Sequence, residues 1–260
     1  MNIPAIFKKR SGSGVKTFKH SGNLGDIIFS LPTIIALGGG KLYLSNNTPG
    51  IETRVFTDKS LEQMIELLKT QPYLAGVSRY NNERIDYNLD KFREIFACYD
   101  HIARWHLKAF SVDFDLSRPW LDNIKPIKTS EIVINNTFRD RDVPLDWNIL
   151  EGLEERCVFV GLEHEYEKFK NVIGLKIPWH PTKDLLEYAR VIKGARLYIG
   201  NQSLGFALAE AMKVPRILEV HHHCPSCLPL SRNARTILTE KILKHPFGIR
   251  KGILSFYKIG

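Results

Sequence analysis

The sequence predicts an α/β protein made of two similar lobes, each a parallel sheet with crossover helices. In both halves of the 260 residues, short apolar segments typical of buried strands alternate with segments of helical periodicity. In both halves, a glycine-containing loop also follows a strand and opens a helix, which is where parallel sheets bind ligands. We therefore expect two such lobes, facing one another across a cleft.

The first half opens with the pattern strand, loop, helix, strand. VKTFKH (15–20) is the expected strand, SGNLGD (21–26) the loop, and IIFSLPTIIAL (27–37) an apolar helix that contains Pro32. Three glycines then end the helix, and KLYL (41–44) is the next strand. This order is the opening of an α/β nucleotide-binding unit.

The second half repeats the alternation. The expected strands are EIVIN (131–135), CVFVG (157–161), ARLYIG (195–200) and RILEV (216–220). Helices are expected over 147–156, in the Glu-rich segment after residue 161, from Pro181 onward, and in the small-residue segment GFALAEAM (205–212).

These patterns divide the chain into three parts. Residues 1–14 are expected to be a flexible basic arm, 15–122 an N-terminal lobe and 123–260 a C-terminal lobe. The segment RPWLDNIKPIKTS (118–130), with two prolines and little periodicity, is the candidate linker.

Composition narrows the class of protein. Hydrophobic residues make up 43% and charged residues 25%, which excludes collagen, coiled coil and wholesale disorder. No apolar stretch has the length of a membrane span or a signal peptide. With 37 Lys and Arg against 28 Asp and Glu, the net charge of +9 favours phosphate-bearing partners, although it also serves solubility. Four cysteines indicate a reducing, cytoplasmic setting rather than a disulfide framework.

The first loop is a candidate ligand-binding site. Its glycines let the backbone approach a ligand closely, and Asp26 lies at the start of the following helix. Asp26 either faces the cleft or only caps the helix. We call residues 21–25 the acceptor-side loop, after the role that the resemblance described below implies, with Ser21, Gly22, Asn23 and Gly25 as its candidate contacts.

The second loop, Gly200 to Ser203, ends a strand and opens a helix whose N-terminus can hold a diphosphate. We call residues 200–203 the donor turn. The alternative interpretation is a tight turn that binds no ligand. Glu219 ends the next strand, where its carboxylate either accepts ribose hydroxyls or is merely solvated.

The two loops and their surroundings resemble the heptosyltransferase-like GT-B glycosyltransferases. HSGNLGDIIFSLPTIIALGGG is similar to the N-terminal signature of that family, and CVFVG followed by YIGNQSLGFALAEAMKVPRILE is similar to its donor half. The chain departs from the family pattern at Gln202, where an aspartate is usual, at Leu204, where a glycine is usual, and at Ala207, where a histidine is common.

The resemblance implies two Rossmann-like lobes of GT-B type with an interlobe cleft, residues 15–122 forming the N-terminal lobe on the acceptor side and residues 123–260 the C-terminal lobe that binds the nucleotide sugar. It implies an inverting, metal-independent transfer of a sugar from a nucleotide diphosphate sugar, which is a co-substrate, with no cofactor. Asp26 would be the general base that takes the acceptor proton. The donor would be bound by Arg139, Arg141, Gly161, Gly200, Asn201, Gln202, Ser203 and Glu219.

Two further patterns are typical of metal sites but are not assigned to one here. His221, His223, Cys224 and Cys227 have ligand types that suit zinc, but the second distant pair of a structural site is missing, so no metal is assigned. Asp113 and Asp115 form a D-x-D, a metal-nucleotide motif of a different glycosyltransferase fold, and we interpret it as incidental.

The acceptor and the activity have alternatives. The acceptor is a saccharide or, given the basic surface and the arm residues Lys8, Lys9 and Arg10, a hydroxymethylated base in DNA that would have to be flipped into the cleft. A third interpretation, favoured by Gln202 in place of an acid, is a non-catalytic module that binds nucleotide or nucleic acid.

Overall fold

The computed structural model describes residues 14–47, 56–95, 100–137, 147–220, 226–231 and 233–238. They form two separate parallel sheets with helices between the strands, which confirms the predicted α/β fold. The N-terminal lobe contains the strands β1 (Thr17–His20), β2 (Gly40–Leu44), β3 (Leu74–Arg79) and β4 (Tyr87–Asn88) and the helices α1 (Leu24–Ala36), α2 (Asp58–Lys69) and α3 (Ile102–Ala109). Its strand order is β3-β2-β1-β4.

The C-terminal lobe is built around a sheet of order β6-β5-β7-β8-β9. Its elements are β5 (Ile132–Asn135), β6 (Cys157–Phe159), α4 (Glu163–Ile173), α5 (Leu185–Gly194), β7 (Leu197–Asn201), α6 (Leu204–Ala211), β8 (Arg216–Val220) and β9 (Ala234–Leu238). Every residue of β5, β7 and β8 is buried, as expected for parallel strands covered on both faces.

Two of the three glycines after α1 are required by close packing. Gly39 and Gly40 have φ angles of +76° and +154°, and a Cβ atom on either would overlap a backbone carbonyl oxygen, of Tyr73 and Lys16 respectively. Because only glycine adopts these conformations without strain, the chain can leave α1 and enter β2 directly.

One predicted element is wrong. Residues 147–156 form two short 3₁₀ turns, Trp147–Leu150 and Glu154–Arg156, instead of one helix. Gly152 lies between them with a φ of +76°, a left-handed conformation that a continuous α-helix cannot include. A smaller difference is that α5 begins at Leu185, later than Pro181, because Asp184 caps it by accepting a hydrogen bond from the Glu187 amide at 2.7 Å.

The two lobes share one apolar core. A continuous cluster of buried side chains extends from Phe18 and Ile28 in the N-terminal lobe to Phe206 and Leu208 in the C-terminal lobe. Helix α1 packs against α6, and α2 packs against α5. The lobes are therefore joined by a hydrophobic helix interface as well as by the chain that connects them.

Trp120, in the predicted linker, ties this interface together. Its side chain is fully buried, and its indole Nε1 donates to the carbonyl of Ile28 in α1 at 3.1 Å. That carbonyl lacks its usual helical donor because the residue four positions later is Pro32, which has no N–H. The backbone N–H of Trp120 meanwhile donates to the carbonyl of Ala211 in α6 at 2.9 Å.

The end of α6 is held by buried charges around the same tryptophan. Glu210 accepts hydrogen bonds from Lys213 at 2.5 Å and from the Arg216 Nε at 2.7 Å. The Lys213 ammonium lies 4.2 Å from the centroid of the Trp120 ring, within the range of a cation–π interaction. Trp120 thus contacts the C-terminal end of α6 through its backbone and through its ring.

We predict that Trp120→Phe lowers the free energy of unfolding by about 1–3 kcal/mol, because it leaves the buried Ile28 carbonyl without a donor. In a Pro32→Ala background the loss should be smaller by about 1 kcal/mol, since the alanine N–H restores the helical hydrogen bond. Urea denaturation of the four proteins of this double-mutant cycle measures both values. An equal loss in the two backgrounds would contradict the assignment of this hydrogen bond.

Candidate functional site

The packing of α1 against α6 brings the two candidate loops to the same side of the molecule. A Cβ atom placed on Gly25 of α1 would lie 3.8 Å from the Cβ of Ala207 in α6. Farther along the two helices, Ile28 and Ala211 both accept hydrogen bonds from Trp120. Gly25 is the second residue of α1 and Ala207 the fourth of α6, so the acceptor-side loop, which runs into the start of α1, and the donor turn, which precedes α6, lie near one another.

Asp26 lies in the first turn of α1, and its side chain is partly exposed. It follows Gly25, the residue that faces α6, so it is close to the boundary between the lobes. The helix N-cap is Asn23, whose side chain makes no capping hydrogen bond. The start of α1 is therefore not fixed by its own cap.

The acceptor-side loop is instead fixed by the residues beside it. The Gly22 amide donates to Nδ1 of His20 at 2.8 Å, and the Ser21 amide donates to a carboxylate oxygen of Asp90 at 2.9 Å. A Cβ atom on Gly22 would lie 2.5 Å both from the Arg93 guanidinium and from the His20 ring. Glycine at position 22 is thus required by these neighbours.

A cluster of buried rings, those of His20, His106 and Phe92, packs next to this loop. His20 and His106 are fully buried, their ring centroids are 5.3 Å apart, and Phe92 stacks on His106 at 4.0 Å. Burial lowers the pKa of His20 to about 3, although the neighbouring Asp90 acts in the opposite direction, and burial holds the pKa of His106 well below its usual value. Both rings are therefore neutral at neutral pH.

The donor turn is supported by a network of neutral polar side chains. Ser203 donates its hydroxyl hydrogen to Oδ1 of Asn135 at 3.0 Å, and Nδ2 of Asn135 donates to the Val160 carbonyl at 2.9 Å. A Cβ atom on Gly161 would lie 2.7 Å from that same Nδ2, and one on Gly200 would lie 2.8 Å from the Asn135 carbonyl oxygen. Asn135, at the end of β5, thus organises the ends of β6 and β7.

A second pair of contacts joins the ends of neighbouring strands. The Thr137 amide donates to Oδ1 of Asn201 at 3.2 Å, and Nδ2 of Asn201 donates to the Thr137 hydroxyl at 3.0 Å. Nδ2 of Asn136 donates to Glu219 at 2.9 Å. Glu219 is buried, so the interpretation of its carboxylate as merely solvated is wrong.

Gln202 contacts Ser226, a residue of its own lobe that in turn bonds to the other lobe. Its Nε2 is 3.4 Å from the Ser226 hydroxyl, to which it donates. The Ser226 carbonyl accepts from the Ile102 amide of α3, in the other lobe, at 2.9 Å. The side-chain amide of Gln202 therefore links the donor turn to Ser226, whose backbone binds the start of α3.

Several predicted residues lie outside the described part of the chain: Arg139, Arg141, His221, His223, Cys224 and the arm residues Lys8, Lys9 and Arg10. Cys227 is described, and its buried Sγ lies 3.7 Å from the Ser226 hydroxyl. Among the residues that the structure describes, no cluster of three or more His, Cys, Asp or Glu side chains is arranged to hold a metal ion. In the same residues, no helix is long and apolar enough to cross a membrane.

Three residues of this region were not indicated by the sequence: Asp90, Asn135 and Trp120. Each acts on a loop or helix that is remote in sequence, and none lies in a glycine-rich motif. Asn135 is the one with a usable signal, because it ends an apolar strand, where polar residues at the carboxyl edge of a parallel sheet often face a site.

Comparison with solved structures identifies the fold. The chain is similar to the E. coli heptosyltransferase WaaC with ADP, with a TM-score of 0.61 and 12% identity over 90% of this chain and 99% of that one. It is also similar to a glycosyl transferase of family 9 from Veillonella parvula, with a TM-score of 0.52 and 12% identity over 90% and 88% of the two chains.

A third similar structure is that of a dodecameric iron-containing heptosyltransferase, TibC, in complex with ADP-D-beta-D-heptose. The TM-score is 0.51 and the identity 16%, over 81% of this chain and 62% of that one. No protein-family model and no curated protein sequence matches the chain. The structural similarity confirms the predicted heptosyltransferase-like fold with its two α/β lobes.

We predict that the protein loses stability as the pH falls from 7 to 5. Burial also lowers the pKa of His101, to about 4, so His20, His101 and His106 stay neutral in the folded state while they bind protons near pH 6.5 when unfolded. The unfolded state then gains protons first, and each histidine costs about 2 kcal/mol of stability between pH 7 and pH 5.

Urea denaturation at the two pH values, with wild type and His106→Phe, measures this effect. The phenylalanine retains the stacking on Phe92, and the loss of stability between pH 7 and pH 5 should be about 2 kcal/mol smaller. An identical pH dependence in the two proteins would show that His106 is not held neutral.

Proposed function

We propose that the chain is a glycosyltransferase that moves a sugar from a nucleotide diphosphate sugar to an acceptor hydroxyl, with inversion and without a metal ion. The observation that carries this proposal is the side-by-side arrangement of α1 and α6, by which the turn of Asp26 adjoins the donor turn. A carboxylate beside a helix N-terminus is the combination that this reaction needs.

The proposed reaction is a single displacement. The acceptor oxygen attacks the anomeric carbon, the bond from that carbon to the diphosphate oxygen breaks, and Asp26 takes the proton of the attacking hydroxyl. The departing diphosphate gains negative charge, which the N-terminus of α6 and the amides near Asn201 to Ser203 are suited to stabilise. Inversion follows because attack and departure occur on opposite faces of the sugar.

The division of roles between the lobes belongs to this proposal. Residues 15–122 would bind the acceptor through Asn23 and Gly25, which are partly exposed, and residues 123–260 would bind the donor. Ser21 and Gly22, also expected to contact the acceptor, are buried and donate their backbone amides to Asp90 and His20, so they hold the loop instead. ADP is the first nucleotide to test, because the similar E. coli WaaC structure contains it. The small number of cysteines fits a reducing, cytoplasmic setting for the reaction.

We predict that Asp26→Asn lowers the turnover of ADP-sugars by about 10²–10⁴-fold, the usual contribution of a general base, and leaves the affinity for ADP within about twofold. Transfer and slow donor hydrolysis are followed by mass spectrometry, and ADP binding by calorimetry. The matched control is Asp113→Asn, an exposed aspartate of the same lobe that also tests the D-x-D motif.

Each outcome discriminates between the hypotheses. Full activity in Asp26→Asn would exclude Asp26 as the base. Loss of activity in Asp113→Asn would show that the D-x-D motif is functional and not incidental. Binding of ADP without turnover by wild type, over a panel of donors and acceptors, would favour the non-catalytic module. If neither ADP nor other nucleotides bind, the donor assignment of the C-terminal lobe is wrong.

A further inference from the structure

Strand β1 is attached to its neighbour β4 by very few backbone contacts. Only two residue pairs are in register, Phe18 with Tyr87 and Lys19 with Asn88. The attachment is extended by an aspartate on each side of β4. Asp86 precedes it and binds the amino end of β1, and Asp90 follows it and binds the residue just beyond the carboxyl end.

The two aspartates make the same pair of bonds. The carboxylate of Asp86 accepts from the amide and from the hydroxyl of Thr17, both at 2.9 Å. The carboxylate of Asp90 accepts from the amide of Ser21 at 2.9 Å and from its hydroxyl at 2.5 Å. Each carboxylate therefore holds both polar groups of one residue at one end of β1.

The surroundings of the two carboxylates differ. Asp86 is exposed, whereas the Asp90 side chain is 15% exposed and also accepts from Lys19 Nζ at 3.0 Å and from Arg93 Nη1 at 2.8 Å. Burial alone would raise the pKa of Asp90, but His20, Ser21 and Arg93 against the carboxylate hold it well below its usual range. Four donors thus converge on one partly buried, ionised group.

The bonds at Ser21 have a consequence that those at Thr17 lack. Ser21 is the first residue of the acceptor-side loop, and the N-cap of α1, Asn23, supplies no side-chain capping bond. What holds Ser21 and Gly22 therefore contributes to the position of the first turn of α1, which carries Asp26. Asp90 holds the first of these residues and His20 the second.

We propose that Asp90 is a positioning residue: by fixing Ser21 it fixes the start of α1, and so the place of the Asp26 carboxylate, without touching the substrate itself. The catalytic part of this proposal rests on the proposed function. The conformational part, that Asp90 orders the acceptor-side loop, stands on the contacts alone.

The test compares Asp90→Asn with Asp86→Asn. An asparagine at position 90 can still accept from the Ser21 amide, but its NH₂ group cannot accept from the Ser21 hydroxyl or from Lys19. Asp86→Asn removes the equivalent acceptor at the other end of β1. It therefore shows how much of any effect comes merely from weakening the attachment of β1 to β4. Ser21→Ala, which deletes only the hydroxyl, is a second and milder variant.

We predict that Asp90→Asn lowers kcat about 10–100-fold, since a misplacement of the general base by about 1 Å has effects of this size. The KM for the donor and the affinity for ADP should stay within about twofold of wild type. Asp90→Glu, which restores the charge, should recover part of kcat, and Asp86→Asn should stay within about twofold.

A readout without activity is hydrogen–deuterium exchange of the folded proteins. Backbone amides of residues 20–26 should exchange at least about tenfold faster in Asp90→Asn, and faster to a smaller extent in Ser21→Ala, whereas Asp86→Asn should leave them unchanged. Peptides covering β7 and α6 serve as an internal reference for global destabilisation.

The outcomes separate this inference from the proposed function. If Asp90→Asn loses thermal stability but leaves exchange of residues 20–26 at the level of Asp86→Asn, Asp90 is only a structural residue and the proposal is overturned. If the wild type turns over no donor, the proposed glycosyltransferase function fails, and the exchange experiment still decides whether Asp90 orders the loop.

Discussion

The arrangement of the candidate site depends on the hydrogen bond between the indole of Trp120 and the carbonyl of Ile28. Pro32 leaves that carbonyl without a donor inside an otherwise continuous, buried helix, where an unpaired carbonyl would cost about 1–3 kcal/mol. Trp120 satisfies it from outside the helix, and its backbone binds α6 at the same time. The proline of α1 thereby becomes the point at which the second lobe is attached to the first.

Because this contact aligns α1 with α6, the remaining parts of the site can be built locally in each lobe. The N-terminal lobe holds its loop with a charged group, Asp90, and a neutral buried imidazole, His20. The C-terminal lobe holds its turn with the amide of Asn135 and the hydroxyl of Ser203. Both loops follow strands whose polar termini are engaged before any ligand binds, so little ordering is needed when one does.

The sequence was sufficient to predict those helices, strands and loops that have a local sequence pattern. Six of the nine strands in the described residues, the apolar α1 and the small-residue α6 follow from periodicity, and the glycine loops follow from composition. Strands β3, β4 and β9 were not expected. The helix expected over 147–156 failed at Gly152, because periodicity does not reveal a left-handed residue. The glycines also have a different role from the expected one: Gly22 and Gly161 make room for side chains of the protein itself, His20 and Asn135.

The contacts that hold the site together could not be predicted from the sequence. Trp120 and Ile28 are 92 residues apart, and Ser21 and Asp90 are 69 residues apart, and no periodicity in the sequence encodes such pairs. The relation between Trp120 and Pro32 is visible only when the helical hydrogen bonds are counted one by one. Asp90 likewise lies in a short 3₁₀ helix, Leu89–Glu94, that has no recognisable motif, and its importance comes from the loop against which it folds.

The central claim, that the packing of α1 against α6 creates the site, is tested most directly by a crystal structure of the protein with ADP. The account predicts a diphosphate within hydrogen-bonding distance of backbone amides at Gln202 or Ser203, on the side of α6 that faces Asp26, with the indole of Trp120 still bonded to Ile28. ADP bound elsewhere, or bound in this turn with α1 separated from α6, would contradict it.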